Sequence, residues 1–214
     1  MIIELQIIDE TLSNKEIKTL IQEDINKIDI SKVCVLPCHL PIFHKYLDKK
    51  IELSTIIDFP FGILSTDSRK ILAENAINNG AKTLELLCPS YMIVNKLYSQ
   101  LKEDISTIYD LCSEYKIGLS YIIDYRTYTY DSLHRICKLL LANKINSIYI
   151  STGYKIDDIY DHLIAMAMIQ KKLPELNIVP NCNIFNKNHH NIIITTEIPR
   201  IRVSSIQAAN LFLK

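Results

Sequence analysis

Residues 147–154 read S-I-Y-I-S-T-G-Y, alternating apolar positions that run into a small-residue turn and at once into a long helical pattern. That is the outline of a buried parallel strand delivering its C-terminal end to a turn and a crossover helix. In α/β folds ligands bind at that end of the sheet, which makes Ser151, Thr152 and Gly153 candidate ligand-binding groups. The same residues also fit an ordinary strand-to-helix turn held by hydroxyl-to-backbone hydrogen bonds. No lysine, histidine or carboxylate lies on this strand. Glu85, in K-T-L-E-L-L-C, is a carboxylate on an otherwise apolar strand. Buried there, it needs a charged partner or takes a raised pKa; pairing with Arg202 or Arg126 and direct contact with a ligand both stay open. His189 and His190 are adjacent, so on an extended segment their side chains diverge, and no second cluster completes a metal site. No metal and no cofactor are expected.

Composition narrows the class. The 214 residues fit one domain over 1–214, and 48% hydrophobic content is enough for a sizeable core. Lys plus Arg equals Asp plus Glu at 24 each, which gives no net pull toward nucleic acid or an anionic membrane. The N-terminus carries Glu4 early and lacks a basic region before a long apolar core, so it does not read as a secretory signal. No apolar run approaches the ~18 residues of a membrane span. Six cysteines scattered without a C-x-x-C pair read as reduced thiols, and a cytoplasmic location is expected. Only four glycines are present, and no glycine-rich phosphate loop can be drawn.

The elements that must position these residues alternate. Ser13-x-x-Glu16 is a capping box that opens a first helix. Strands are expected at 32–36, 53–59, 82–88, 118–124, 147–154 and 176–181, with helices between them. Residues 91–101 and 105–115 read as two consecutive helices, and Asp131 as the cap of another. Near the end, 192–195 and 200–204 read as strands and 206–213 as a helix, whereas 181–192 is too polar and short for a full crossover helix. A repeating strand–helix series implies a parallel sheet. The missing dinucleotide fingerprint and a repeat count near eight favour a closed (β/α)8 TIM barrel with a shortened, degenerate seventh unit.

Several strand ends, taken together and in order, resemble the deoxyribose-phosphate aldolase family: I-I-D-E-T-L at 7–12, K-V-C-V-L-P at 32–37, D-F-P-F-G at 58–62, N-G-A-K-T-L-E-L-L at 79–87, S-I-Y-I-S-T-G-Y at 147–154 and R-V-S-S at 202–205. The resemblance implies a (β/α)8 barrel that cleaves 2-deoxyribose 5-phosphate to acetaldehyde and glyceraldehyde 3-phosphate through a lysine Schiff base. That chemistry needs a neutral amine, a second cation that lowers its pKa, and a carboxylate that moves protons. By the resemblance the imine-forming lysine falls at Tyr149, the second lysine at Val179 and the relay aspartate at Glu85. The phosphate-binding glycines become Cys182 and Asn183, and another loop glycine becomes Arg202. Retained are Asp9, Cys34, Ser151, Thr152, Gly153, Ser204 and Ser205.

Three functional expectations follow. The first is a degenerate aldolase-like protein that has lost imine chemistry and binds a small sugar phosphate or other anion, with Arg202, Ser204 and Ser205 as an anion clamp and Tyr149 and Glu85 as a rebuilt proton-transfer pair. The second is an active lyase whose amine is relocated to Lys155. The third is a partner or scaffold protein, assembling with itself or a relative.

Overall fold

The computed structural model describes residues 1–213. Eight strands run β1 (Ile2–Ile7), β2 (Lys32–Val35), β3 (Glu52–Ile57), β4 (Thr83–Leu87), β5 (Gly118–Ile122), β6 (Ser147–Tyr149), β7 (Asn177–Val179) and β8 (Arg200–Val203). The helices are α1 (Asn14–Glu23), α2 (Leu40–Tyr46), α3 (Thr66–Asn78), α4 (Ser90–Val94), α5 (Tyr98–Tyr115), α6 (Tyr130–Ala142), α7 (Ile159–Lys172), α8 (Lys187–Thr195) and α9 (Ile206–Phe212). The sheet order is β7-β6-β5-β4-β3-β2-β1-β8, with every ladder parallel. Between β8 and β7 there is a single bridge, Asn181 to Arg202, in which the Arg202 N–H donates to the Pro180 carbonyl at 2.9 Å. The result is the expected (β/α)8 barrel, closed most thinly at its seventh unit.

Local chemistry explains where the elements begin. Both halves of the Ser13–Glu16 capping box are formed. Ser65, Thr129, Asp158, Asn186 and Ser205 each cap the helix that follows by accepting a backbone N–H. Gly80, just past α3, sits at φ +97°, in the left-handed region that glycine enters freely.

Four details depart from the pattern. An additional strand, β1, precedes the first helix, so the stretch at 147–154 is the sixth strand and not the fifth. The segment 192–195 is helical: Asn186 caps α8, which carries His189 and His190 on a helix and not on an extended segment. This nine-residue helix is the shortened seventh crossover. Residues 91–101 do not form one helix, because the chain breaks after α4 with Lys96 at φ 55°. The cap of α6 is Thr129, with Asp131 in its first turn.

Strand alternation separates two interiors. Outward side chains such as Leu5, Val33, Leu84, Ile148 and Ile201 pack with the helices in the main apolar core. Inward side chains are polar to an unusual degree: Glu4, Gln6, Lys32, Ser54, Thr83, Glu85, Ser120 and Arg202 are all buried. Toward the C-terminal ends of the strands, Cys34, Ile56, Leu87, Ile122, Tyr149 and Val179 form a small apolar cluster.

Candidate active site

The barrel interior holds one ionic unit built from four strands. Arg202 on β8 is fully buried and grips Glu85 on β4 with both terminal nitrogens, Nη2 lying 2.7 Å from Oε1. The same Nη2 donates to Glu4 Oε2 on β1 at 2.8 Å. Tyr149 on β6 lies against the guanidinium, with Arg202 Cζ 3.6 Å from the ring centroid, and its hydroxyl donates to Glu4 Oε2 at 2.7 Å. Cys34 Sγ donates to Glu85 Oε2 at 3.3 Å, and Arg200 reaches Glu4 Oε1 at 3.3 Å from the half-buried rim. Two carboxylates thus face two guanidinium groups, and the charges balance.

Electrostatics follow from that geometry. Burial works to raise the Glu85 pKa, but the Arg202 charge and its hydrogen bonds outweigh this and hold the carboxyl below its usual range. Burial, reinforced by Glu85 and Glu4, pushes the Tyr149 phenol well above its ordinary value despite Arg202. Burial and the Glu85 charge likewise push the Cys34 thiol up. Glu85 is therefore an ionised, fully engaged acceptor, and Tyr149 a phenol that keeps its proton.

Above this layer the chain turns out of β6. The Ser151 hydroxyl accepts from the Gly153 N–H at 3.4 Å and the Thr152 hydroxyl from the Tyr154 N–H at 3.2 Å. Gln6 and Asn181 donate to the Thr152 and Ser151 carbonyls, each at 3.1 Å. Gly153 has φ +69°, and a Cβ there would stand 2.5 Å from Gln6 Oε1, so the turn fits glycine alone without strain. Beyond the turn, Asp157 is buried and accepts from Tyr125 Oη at 2.6 Å and lies 3.0 Å from His162 Nδ1. Arg126 pairs with Asp124 and donates to the Ile156 carbonyl, fixing the Lys155–Ile156 loop to the end of β5.

A cleft of about 370 Å³ opens at the mouth between the ends of β3, β4, β5 and β6. Phe61, Ile63, Tyr128 and Tyr154 give it apolar walls, Ser90 and Thr152 line it, and it carries one cation, Lys155, and one carboxylate, Asp124, which is paired with Arg126. The exposed Tyr154 ring packs edge-on against Phe59, centroids 5.5 Å apart.

The candidates named from the sequence divide accordingly. Glu85, Tyr149, Arg202 and Cys34 come together inside the barrel, while Thr152 and Lys155 line the cleft. The Tyr149 hydroxyl bonds Glu4 and not Glu85, the residue expected to pair with it for proton transfer. Arg202 is spent on the two carboxylates and is not free at the rim. Asp9 is exposed and bonds Thr11, and Ser205 caps α9 while Ser204 is exposed. Glu4, Gln6 and Asn181 were missed. Glu4 carries the signal that singled out Glu85, a lone carboxylate on an apolar strand, in a stretch not read as a strand.

An inward-facing polar constellation beneath a cleft at the C-terminal ends of parallel strands lies at the end of the barrel where (β/α)8 enzymes carry their active sites. No family model matches the chain. In sequence it is similar to the deoxyribose-phosphate aldolase of Clostridioides difficile, 28% identical over 147 residues, covering 69% of this chain and 66% of that protein. The deoxyribose-phosphate aldolase of Finegoldia magna is also 28% identical, over 163 residues, with 71% and 75% covered. Against the first of these relatives the match thus spans just under two thirds of its length. Among solved structures, "QR15, an Aldolase" superposes with a TM-score of 0.83 at 20% identity over 98% of this chain and 93% of that one. A deoxyribose phosphate aldolase from Aeropyrum pernix, described as having a unique tetrameric structure, gives 0.82 at 15% identity over 98% and 88%. The protein resembles the deoxyribose-phosphate aldolases in sequence and shares their fold. Among the described residues no helix is long and apolar enough to cross a membrane.

Proposed function

We propose that this aldolase-like barrel has lost Schiff-base cleavage and uses the cleft at its mouth to bind a small anionic molecule. The observation that carries the reading is the closed Tyr149–Arg202–Glu85–Glu4 unit. Imine formation joins a neutral amine to an aldehyde through a carbinolamine that expels water, with a carboxylate carrying protons. At the position the resemblance assigns to the amine stands a phenol, buried and hydrogen-bonded. Both oxygens of the candidate shuttle Glu85 are occupied by Arg202, and one also by Cys34. Neither Glu85 nor Tyr149 lines the cleft. Lys155, exposed on the outer wall of the cleft, supplies a charge for an anion.

The test is incubation with 2-deoxyribose 5-phosphate and borohydride, followed by intact-mass measurement. The expected result is an unchanged mass, with deoxyribose 5-phosphate or inorganic phosphate binding weakly by calorimetry and losing that binding in Lys155→Ala. A reduced adduct overturns the loss of imine chemistry, and if peptide mapping places it on Lys155 the relocated-lysine lyase is the correct reading. Binding that survives Lys155→Ala overturns the assignment of the anion site.

A further inference from the structure

The two loops that wall the cleft at the mouth hold large apolar side chains out in water. After β3 the Asp58 carboxylate accepts the Ile63 N–H at 3.0 Å and the Leu64 N–H at 3.1 Å, while the Asp58 carbonyl accepts the Gly62 N–H at 2.9 Å. Asp58 itself sits at φ +62°, a left-handed conformation that is costly for a residue with a side chain. Fully buried Arg69 lies 3.8 Å from the same carboxylate. The turn fixed in this way leaves Phe61 59% and Ile63 67% exposed. After β6 the Gly153 turn, at φ +69°, presents Tyr154 at 57% exposure, and Arg126 ties down the Ile156 carbonyl at 2.9 Å. Strained backbone and buried charge that hold apolar rings open to solvent mark a site shaped for an occupant.

The polar groups of the lining define the chemistry of that occupant. Both oxygens of Asp124 are held by Arg126, at 3.0 and 2.9 Å, so this pair offers no net charge. The Ser90 hydroxyl donates to the Phe61 carbonyl at 3.0 Å. The N–H groups of Cys88, Ser90 and Tyr154 are committed to Ile122, Gly62 and Thr152, so they form no cradle for a phosphate. What can still meet a ligand is the exposed Lys155 amine and the hydroxyls of Thr127, Tyr128 and Thr152. One cation matches one negative charge. A sugar phosphate brings a doubly charged group and several hydroxyls, and those hydroxyls would lose water against Phe61, Ile63, Leu87 and Ile122. A flat ring system gains from the same contacts and stacks on Phe61, Tyr128 or Tyr154. At about 370 Å³ the cleft is at the small end of ligand sites, which suits one or two fused rings.

On the footing of the anion site proposed above, we infer that the occupant of this cleft is an aromatic monocarboxylate. Its ring lies between the Phe61–Ile63 wall and the Tyr128–Tyr154 wall, and its carboxylate meets Lys155.

The chain has no tryptophan, so the emission of 2-naphthoate, excited beyond tyrosine absorption, reports its binding directly. Fluorescence titration of the full chain with 2-naphthoate is compared with calorimetric titration by 2-deoxyribose 5-phosphate. Naphthoate should bind at least ~10-fold more tightly. Phe61→Ala and Tyr154→Ala, at exposed positions and with the fold checked by circular dichroism, should each weaken naphthoate roughly 3- to 10-fold and leave deoxyribose 5-phosphate within about twofold. Lys155→Ala should weaken both anions, while neutral 2-naphthylmethanol should bind less tightly than naphthoate and ignore that change. Naphthoate no tighter than deoxyribose 5-phosphate, or bound equally well in Phe61→Ala and Tyr154→Ala, overturns the aromatic ligand; the anion site itself stands if deoxyribose 5-phosphate still depends on Lys155. Affinities for both anions that are unchanged in Lys155→Ala, or no binding of either, overturn the anion site and the aromatic ligand together.

Discussion

Replacing Arg202 by methionine tests the ionic unit that plugs the barrel. Methionine keeps much of the arginine stem's volume but removes the charge and three hydrogen bonds, two to Glu85 and one to Glu4. Glu4 retains Arg200 at 3.3 Å, whereas Glu85 is left fully buried with only the more distant Lys32 charge in its favour. Stranding one member of a buried ion pair costs about 3–5 kcal/mol, which for a domain of this size lowers the melting temperature by roughly 6–20 °C. The cost must depend on pH. In the wild type the folded Glu85 pKa lies below its unfolded value of 4.5, so its stabilisation is complete above 4.5 and is lost as the solution is acidified through the folded value. In Arg202→Met burial, the largest influence on Glu85, is opposed only by Lys32 and Ser54, and the folded pKa should rise above 4.5, so the variant gains stability as pH falls toward 4.5. Urea unfolding followed by circular dichroism at about pH 7.5 and about pH 5 should show the gap between the two proteins narrowing on acidification. Adding Glu85→Gln should recover part of the loss at neutral pH. A cost below about 1 kcal/mol, or one equal at both pH values, refutes the claim that Arg202 neutralises buried carboxylates.

Other consequences can be checked directly. Of the six cysteines only Cys38 is exposed, and burial pushes the Cys112, Cys137 and Cys182 thiols up to about 12; the native protein should titrate one fast thiol with a disulfide reagent, and six after denaturation. Burial raises the Asp157 pKa, but bonds from His162 and Tyr125 more than compensate and hold it below 3.8, so its stabilisation is present above 3.8 and lost as pH falls through the lower folded value. Asp157→Asn should therefore destabilise at neutral pH, flatten the acid limb of the stability profile, and speed hydrogen exchange in the Lys155–Ile156 loop that Arg126 and Asp157 hold. Tyr149→Lys should give no borohydride-trapped adduct, because position 149 is fully buried and does not line the cleft, so the introduced amine meets no aldehyde; an adduct would show that one substitution suffices to recover imine chemistry.

The fold was legible because it depends on the outward faces of the strands. Runs such as K-V-C-V-L and K-T-L-E-L-L-C carry enough apolar residues to mark a strand whatever lies inside the barrel. Legibility failed where short-range chemistry decided the outcome. The polar stretch N-K-N-H-H-N becomes helical because Asn186 accepts the His189 N–H and Ile193 then has a core to enter. The first strand escaped notice because Glu4 and Gln6 interrupt its hydrophobicity, and both are the inward residues that matter to the site. Glu85 and Arg202 were visible singly, and their pairing with each other stood beside pairing of Glu85 with Arg126 and its contact with a ligand. That Glu4 and Tyr149 complete the unit depends on register between β1, β8 and β6, which no local pattern encodes.

That register explains why the four residues stand or fall together. A (β/α)8 interior must be filled in layers, since the barrel is a packed core and not a pore. A tyrosine at 149 fills the space above the middle layer and presents the face of its ring, which suits a cation. Arg202 supplies that cation from β8, and a guanidinium without counter-charge would not be tolerated there. Glu85 neutralises it from β4, and Glu4 takes the remaining contact while accepting the phenol. Each residue answers a need created by another, so reversing one alone leaves a buried charge or a void. With the interior filled in this way, the open volume at the mouth is a cleft with walls of Phe61, Tyr128 and Tyr154 and with Lys155 and Asp124 in its lining. The outward faces thus build the (β/α)8 frame while the inward faces pack one another through ionic and aromatic contacts.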